Sequence, residues 1–169
     1  MYDHGGNDLV DARRTIVAAA FAERAIDLPS LGSEIADAFT AKSKQSNERY
    51  PDTIPVLSKL KSSGFALGLL TNGGLDSQRA KLERFALSDY FQFIGISEEI
   101  GFAKADPAIF EQALTALDAT APYAWMVGDH LEWDIVGAQA AGMAAVWFNP
   151  NDAASPSSPK PGHVIITLG

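Results

Sequence analysis

Thr71-Asn72-Gly73-Gly74 follows an apolar run and combines a hydroxyl, an amide and two glycines. Such a turn can offer backbone N–H groups and a hydroxyl to an anion at the start of a helix. The same residue types are also ordinary helix caps, because Thr, Asn and Gly favour turns that open helices. The turn alone therefore leaves an anion site and a simple cap as open interpretations.

Two aspartates follow a second apolar run. Asp129 ends the run Met126-Val127-Gly128, and Asp134 stands five residues later, where a helix is predicted to begin. Mg²⁺ usually takes one or two protein carboxylates and keeps several waters, so this pair suits that ion. In the alternative interpretation, Asp129 caps the helix and Asp134 is a first-turn charge favoured by the helix dipole.

A lysine lies between these two groups in the sequence. Lys104 stands shortly before Pro107, which is predicted to open a helix. A lysine in that place can hold an anionic group as a point charge. Most lysines are solvated surface charges, so Lys104 by itself supports either interpretation.

Alternating strands and helices are predicted to position these residues from about Tyr50 onwards. Short apolar runs predict strands at Phe65–Thr71, Phe93–Ser97, Ala124–Asp129, Ala144–Phe148 and Val164–Thr167. Helices are predicted between them, at about 53–62, 75–85, 107–117 and 132–141. Nearly continuous hydrophobicity favours strands buried on both faces of a parallel sheet, in a doubly wound α/β fold. Ligands bind beyond the carboxyl ends of such strands, where all three groups of residues lie.

The first fifty residues are predicted to be helical. Apolar residues recur at helical spacing between Asn7, a candidate N-cap, and Ala25, and Pro29 separates this helix from a second. The second helix continues in an apolar stripe of Leu31, Ile35, Ala36 and Phe39.

Composition excludes several classes of function. The 169 residues carry a net charge of -8, which makes nucleic acid and acidic lipid surfaces poor partners. The sequence has no cysteine, so disulfides, thiolate metal sites and cysteine nucleophiles are excluded. No apolar segment approaches the ~18 residues of a membrane helix, and we expect a cytoplasmic protein.

The ordered series Thr71-Asn72-Gly73, Lys104 and Gly128-Asp129 through Asp134 resembles the haloacid dehalogenase (HAD) superfamily. The resemblance runs from about Tyr50 to Phe148 and includes segments typical of its phosphatase-like members. These segments are Asp89-Tyr90-Phe91, Ser97-Glu98-Glu99, Pro107-Ala108-Ile109-Phe110, Asp134-Ile135-Val136-Gly137-Ala138 and Ala141-Gly142-Met143. The resemblance implies a Rossmann-like α/β core over residues 51–169 and a remnant of a helical cap over residues 1–50.

The resemblance also implies roles for the candidate residues. Thr71 would hydrogen-bond a transferring phosphoryl oxygen, and Asn72 would shape the turn that carries Thr71. Lys104 would neutralise charge on the nucleophile and on the phosphoryl group. Asp129 would bind Mg²⁺, and Asp134 would support that ligand and its waters. Phosphoryl transfer needs little beyond in-line positioning and preorganised positive charge, which agrees with these roles. The resemblance implies a small phosphorylated metabolite as substrate.

The sequence departs from the family pattern at two places. Proline usually follows the lysine, and this chain has Ala105 there. The family's nucleophile lies in an Asp-x-Asp motif on the first strand, but no two of the thirteen aspartates here are two residues apart. We therefore expect a Mg²⁺-dependent phosphatase that lacks its nucleophile in this chain and is inactive as written. The alternatives are a haloacid dehalogenase, which needs no metal, and a non-catalytic protein that binds a phosphorylated ligand or a protein.

The absent first strand has a structural consequence. In the family it lies at the centre of the sheet, between the strands that end at Thr71 and Asp129. Without it, both strands present apolar edges with unpaired backbone groups. We expect that rearranged pairing or another chain fills this gap, or that the sequence is a fragment of a longer protein. Self-association through these edges is one way for another chain to fill it. The end at Gly169, where related proteins commonly continue into a helix, supports truncation.

Overall fold

The computed structural model describes residues 8–46, 48–154 and 158–169. The chain divides into two compact units, residues 1–49 and residues 50–169. The candidate cap Asn7 lies outside the described residues. The interpretation of the first unit as the remnant of a cap stays a prediction.

The first unit is a hairpin of two helices, α1 (Asp8–Glu23) and α2 (Pro29–Ser46). The buried stripe of α2 consists of Gly32, Ala36 and Thr40, which recur every fourth residue. These small residues allow a close approach to α1, whereas Leu31, Ile35 and Phe39 of the predicted stripe are 40%, 44% and 60% exposed. The apolar stripe was therefore predicted correctly only at Ala36. Among the described residues, no helix has both the length and the apolar character that a bilayer crossing requires.

The second unit alternates strands and helices, as the sequence predicts. Its strands are β1 (Gly68–Thr71), β2 (Phe93–Ile96), β3 (Trp125–Gly128), β4 (Ala144–Phe148) and β5 (His163–Ile165). Its α-helices are α3 (Thr53–Ser62), α4 (Leu75–Arg84), α5 (Ser97–Ile100), α6 (Pro107–Ala116) and α7 (Gly137–Ala140). A π-helix, Leu131–Val136, leads directly into α7. As predicted, Pro107 opens a helix, and the Asp106 carboxylate caps it by accepting a hydrogen bond from the backbone of Ala108.

The parallel strands form two separate sheets. β1 pairs with β2, with Thr71 opposite Ile96, and β4 lies between β3 and β5. Within the described residues, neither β1 nor β3 has a strand on its other side. The break therefore falls where the sequence analysis expects a missing strand, and no rearranged pairing closes it among these residues.

The core of this unit lies between the three-stranded sheet and the helices that follow β2 and β3. It includes a cluster of six buried residues, Ile109, Phe110, Ile135, Ala138, Ala145 and Trp147. β4 is buried along most of its length, but on β3 the side chains of Trp125 and Val127 are 61% and 47% exposed. Trp125 and Val127 are alternate residues and therefore share one face of β3, so the prediction of burial on both faces is wrong for this strand.

Candidate active site

Asn72 connects the end of β1 to the backbone of Lys104. The Asn72 Nδ2 group donates a hydrogen bond to the Lys104 carbonyl oxygen at 2.8 Å. In return, the Lys104 backbone N–H donates to Asn72 Oδ1, also at 2.8 Å. Two reciprocal hydrogen bonds to one residue fix both its position and its orientation. Asn72 therefore joins the end of β1 to the Lys104 backbone through both groups of its side-chain amide.

Lys104 connects this turn to the segment that follows β3. Its Nζ lies 2.7 Å from Asp134 Oδ1, and the two side chains are only 14% and 3% exposed. The other carboxylate oxygen, Asp134 Oδ2, accepts a hydrogen bond from the His130 backbone N–H at 3.0 Å. Asn72, Lys104 and Asp134 form one connected group, called here the strand-end cluster. The interpretation of Lys104 as a solvated surface charge is wrong.

Two glycines give the strand-end cluster the space that it needs. A Cβ at Gly128 would overlap the Asp134 carboxylate, so only glycine lets the last residue of β3 lie against it. At Gly137, a Cβ would meet the Phe110 ring and the Ala105 Cα, the latter at 3.0 Å. Glycine at position 137 therefore lets α7 approach the residue that follows Lys104.

The backbone N–H groups between β1 and α4 are less available than the sequence suggests. The Gly73 N–H donates to Ser97 Oγ at 3.0 Å, and the Leu75 N–H donates to Glu98 Oε2. Gly74, not Asn72, is the N-cap residue of α4, and it has no side chain with which to cap the helix. The N–H groups of Gly73 and Leu75 therefore have side-chain acceptors and are not open to an anion in this structure.

The contacts of Ser97 and Glu98 are the feature that the sequence analysis missed. A signal for them exists in the sequence, because a helix that begins after two glycines has no local side-chain acceptor for its first N–H groups. An acceptor from elsewhere in the fold is then required, and Ser97-Glu98 follows the neighbouring strand.

Thr71 ends β1 and is half-buried. Its hydroxyl donates a long hydrogen bond of 3.5 Å to the Asn72 carbonyl oxygen. A bond of this length is weak, so the hydroxyl can reorient towards a ligand at little cost. Among the contacts of the described residues, none joins the Thr71 side chain to Lys104 or Asp134.

Asp129 lies one residue beyond β3 and is exposed. Its backbone carbonyl accepts a hydrogen bond from Trp147 Nε1 at 3.0 Å, and no contact of its carboxylate is found among the described residues. The cap that follows is His130, whose Nδ1 accepts from the Trp133 N–H at 3.3 Å and whose ring stacks on that indole. The interpretation of Asp129 as the helix cap is therefore wrong.

The two aspartates differ in what they can offer a metal ion. Asp134 Oδ2 accepts a hydrogen bond, and Oδ1 forms the ion pair with Lys104 but has no hydrogen-bond partner among the described residues. The Asp129 carboxylate is exposed and has no described contact. In the part of the chain that the structure describes, no three His, Cys, Asp or Glu side chains converge as a metal-binding group. Asp129 thus fits a Mg²⁺ site in which the protein supplies one carboxylate ligand and water supplies others, and Asp134 fits a supporting role beside it.

The family model for haloacid dehalogenase-like hydrolases matches residues 13–148, which include α2 and the strands from β1 to β4. The chain belongs to this family. The doubly wound α/β fold of the HAD type, with its sheet divided at the expected central position, is confirmed.

Relatives of this HAD chain include phosphatases and dehalogenases. A phosphoserine phosphatase of Thermus thermophilus is 39% identical over 127 residues, which make up 75% of this chain and 51% of that protein. A solved 2-haloacid dehalogenase from Pseudomonas syringae pv. Tomato DC3000 is 34% identical, with a TM-score of 0.67, over 94% of this chain and 67% of that one. A solved HAD phosphatase from Thermococcus onnurineus is 31% identical, with a TM-score of 0.69, over 94% and 72%. The HAD chain thus spans about half the length of the curated phosphatase that it matches.

Proposed function

We propose that this chain carries the phosphate-binding part of a Mg²⁺-dependent phosphatase that acts on small phosphomonoesters. The observation that carries the proposal is the double hold on Lys104. Asn72 fixes its backbone through two hydrogen bonds of 2.8 Å, and Asp134 holds its ammonium group at 2.7 Å. A lysine that is fixed in this way is a preorganised positive charge, which is what a transferring phosphoryl group requires.

Lys104 keeps donors for a ligand. An ammonium group has three N–H donors. Lys104 forms an ion pair with Asp134 Oδ1, but among the described residues that oxygen has no hydrogen-bond partner, so Asp134 leaves these donors to a ligand. The group is only 14% exposed, so its attraction to a phosphate oxygen is weakened less by water than that of a surface lysine. The Thr71 hydroxyl, whose present hydrogen bond is long, supplies a second donor on the β1 side.

The donor set after β3 suits Mg²⁺. When bound, Mg²⁺ neutralises charge on the phosphoryl oxygens. Asp129 would hold the ion through its open carboxylate, and Asp134 would keep Lys104 beside it. With one open carboxylate, we expect this chain to bind Mg²⁺ weakly in the absence of phosphate.

The nucleophile is the part that this chain does not supply. Family members of this kind form an aspartyl-phosphate on the first aspartate of an Asp-x-Asp motif, and that motif is absent from the sequence. We therefore propose that the chain binds phosphate but does not hydrolyse phosphomonoesters by itself. Similarity to the phosphoserine phosphatase supports a small phosphorylated metabolite as the ligand of the complete site.

Haloacid dehalogenase chemistry is the second candidate. It is supported by the 34% identity to the solved 2-haloacid dehalogenase. The two functions differ in their anion, because a dehalogenase site binds a carboxylate and releases halide and needs no metal. The exposed carboxylate of Asp129, which suits a metal ion, favours the phosphatase.

Calorimetric titration of inorganic phosphate, with and without Mg²⁺, tests the proposal. We expect millimolar phosphate to bind, Mg²⁺ to strengthen the binding, and Lys104→Gln to abolish it. Lys160→Gln, which removes an exposed lysine from the same unit, is the control and is expected to bind like the unchanged chain. Equal or tighter binding of 2-chloropropionate without Mg²⁺ would instead support the dehalogenase. If neither anion binds at millimolar concentration, the proposal is wrong.

A further inference from the structure

The turn between β1 and α4 consists of residues that do not hold a conformation by themselves. Gly73 has a φ of 136°, a region that favours glycine, and the next residue, Gly74, has no side chain to cap α4. Glycines lose more conformational freedom on folding than other residues do. A fixed position for Thr71 and Asn72 at this turn therefore requires contacts from outside it.

Consecutive residues at the start of α5 supply these contacts. Ser97 Oγ accepts from the Gly73 N–H at 3.0 Å and donates to the Gly73 carbonyl at 3.4 Å, so it binds both sides of the same residue. Glu98 accepts from the Leu75 N–H at the first position of α4. Its Oε2 also lies 3.3 Å from where a Cβ of Gly74 would be, which shows how closely the carboxylate approaches the turn.

We propose that Ser97 and Glu98 are positioning residues for phosphate binding, which they serve by fixing the turn that carries Thr71 and Asn72. The inference rests on the proposed function, because it assigns the turn a ligand. Asn72 in turn holds the Lys104 backbone. By fixing the turn, Glu98 therefore influences the positions of both proposed phosphate donors, the Thr71 hydroxyl and the Lys104 ammonium group. Neither Ser97 nor Glu98 touches the ligand.

A different role for Glu98 predicts the opposite change in phosphate affinity when this residue is replaced. A carboxylate beside the turn repels phosphate and can occupy N–H groups that phosphate would otherwise use. If Glu98 were such a competitor, its removal would tighten phosphate binding. If it positions the turn, loss of its hydrogen bond weakens binding, and a neutral acceptor of the same shape preserves it.

The first experiment needs no ligand. Amide hydrogen exchange is measured by NMR in the unchanged chain and in Glu98→Ala, Glu98→Gln and Glu99→Ala. Glu99 is the matched control, because it is the next carboxylate on α5 and contacts α4 through the Arg79 side chain, at 2.7 Å, and not through the Leu75 N–H. We expect Glu98→Ala to speed exchange of the Leu75 amide roughly tenfold or more, and Glu98→Gln and Glu99→Ala to leave it within about threefold. Unchanged Leu75 exchange in Glu98→Ala contradicts the proposal.

The second experiment titrates inorganic phosphate into the same four proteins. We expect Glu98→Ala to raise the Kd for phosphate about fivefold or more, and Glu98→Gln to restore it to that of the Glu99→Ala control. A lower Kd in both Glu98 variants identifies a competitor and overturns the proposal. If the unchanged chain binds no phosphate, the proposed function is wrong, and so is a role of Glu98 in phosphate binding. The hydrogen-exchange result then still decides whether Glu98 fixes the turn.

Discussion

The two strand ends on either side of the break in the sheet are built differently. After β1, Asn72 and Gly73 have hydrogen-bond partners in two other segments, Lys104 and Ser97. After β3, Asp129 is exposed and its carboxylate has no described partner. The part of the site suited to an anion is therefore fixed by this chain's own contacts, whereas the part suited to a metal ion rests on one open carboxylate.

The buried pair of Lys104 and Asp134 joins these two strand ends. Burying two charges costs much of what their attraction returns, so such a pair contributes little net stability. Removing one partner is much more costly, because the other charge is left buried and unpaired. The pair thus favours one arrangement of the strand ends over others, and its disruption gives the largest effects that we predict.

Lys104→Met is expected to have the largest effect on stability. It keeps most of the side-chain volume but leaves the Asp134 carboxylate, 3% exposed, without its counter-charge. We expect the free energy of unfolding to fall by about 3–5 kcal/mol, measured by urea unfolding. The double variant Lys104→Met/Asp134→Leu should recover part of this loss. A loss below about 1 kcal/mol in Lys104→Met would show that the pair is not buried in solution.

Alanine at two glycines compares the strand ends directly. Gly128→Ala places a Cβ into the Asp134 carboxylate, and we expect a loss of about 2–3 kcal/mol in the free energy of unfolding. Gly74→Ala places a Cβ 3.3 Å from the end of the Glu98 side chain, which can move, so its cost is about 1 kcal/mol or less. Thermal and urea unfolding of both variants measure the difference. An equal loss of unfolding free energy in the two variants would contradict tighter packing after β3 than after β1.

Asn72→Ala tests the hold on Lys104 from the β1 side. It removes two hydrogen bonds of 2.8 Å, and we expect a loss of about 1–3 kcal/mol in stability together with weaker phosphate binding. Asn149→Ala is the control, because Asn149 makes a similar reciprocal pair of bonds with Ala153, at 2.9 and 3.1 Å. Both variants should be destabilised, but only Asn72→Ala should bind phosphate more weakly.

Asp129→Asn is expected to separate metal binding from stability. Because this side chain is exposed, the free energy of unfolding should change by about 0.5 kcal/mol or less. Calorimetry should show that Mg²⁺ no longer strengthens phosphate binding, while phosphate alone still binds. If Mg²⁺ strengthens phosphate binding equally in Asp129→Asn, Asp129 is not the ligand.

An exposed ion pair in the helical unit should show the smallest effect. The hydrogen bond from Arg14, and its charge, lower the pKa of Asp37 below its ordinary value of 3.8. A lowered pKa in the folded protein means that the pair stabilises it above about pH 4 and loses this contribution as the pH falls through the folded-state pKa. Solvent screening keeps the contribution small. Asp37→Asn should slightly flatten the acid side of a stability–pH curve, and a loss comparable to that of Lys104→Met would overturn this ranking of the two ion pairs.

Sequence patterns predicted the elements of the fold better than the contacts of the site. Apolar runs located the five strands of the described residues, because a strand packed in a sheet is built from a short apolar segment. Periodicity did not show which face of α2 is buried, since small residues decide that contact and Leu31 and Phe39 are exposed.

At the site, the sequence predicted Lys104 and Asp134 as candidate residues but not that they contact each other. The reciprocal bonds of Asn72 and the cap from Glu98 join residues 23 or more positions apart, and no local pattern records such contacts. Gly74 at the start of α4 was the one local sign that an acceptor comes from elsewhere.

NMR titration of the backbone amides tests most directly whether the anion part of the site is fixed in this chain and the metal part is not. Inorganic phosphate is added first, and Mg²⁺ second. The account predicts that phosphate alone shifts the amides of Thr71, Asn72 and Lys104, and that Mg²⁺ shifts those of Asp129 and His130 only once phosphate is present. Strong Mg²⁺ binding at Asp129 without phosphate, together with no response of Thr71 or Lys104 to phosphate, would contradict it.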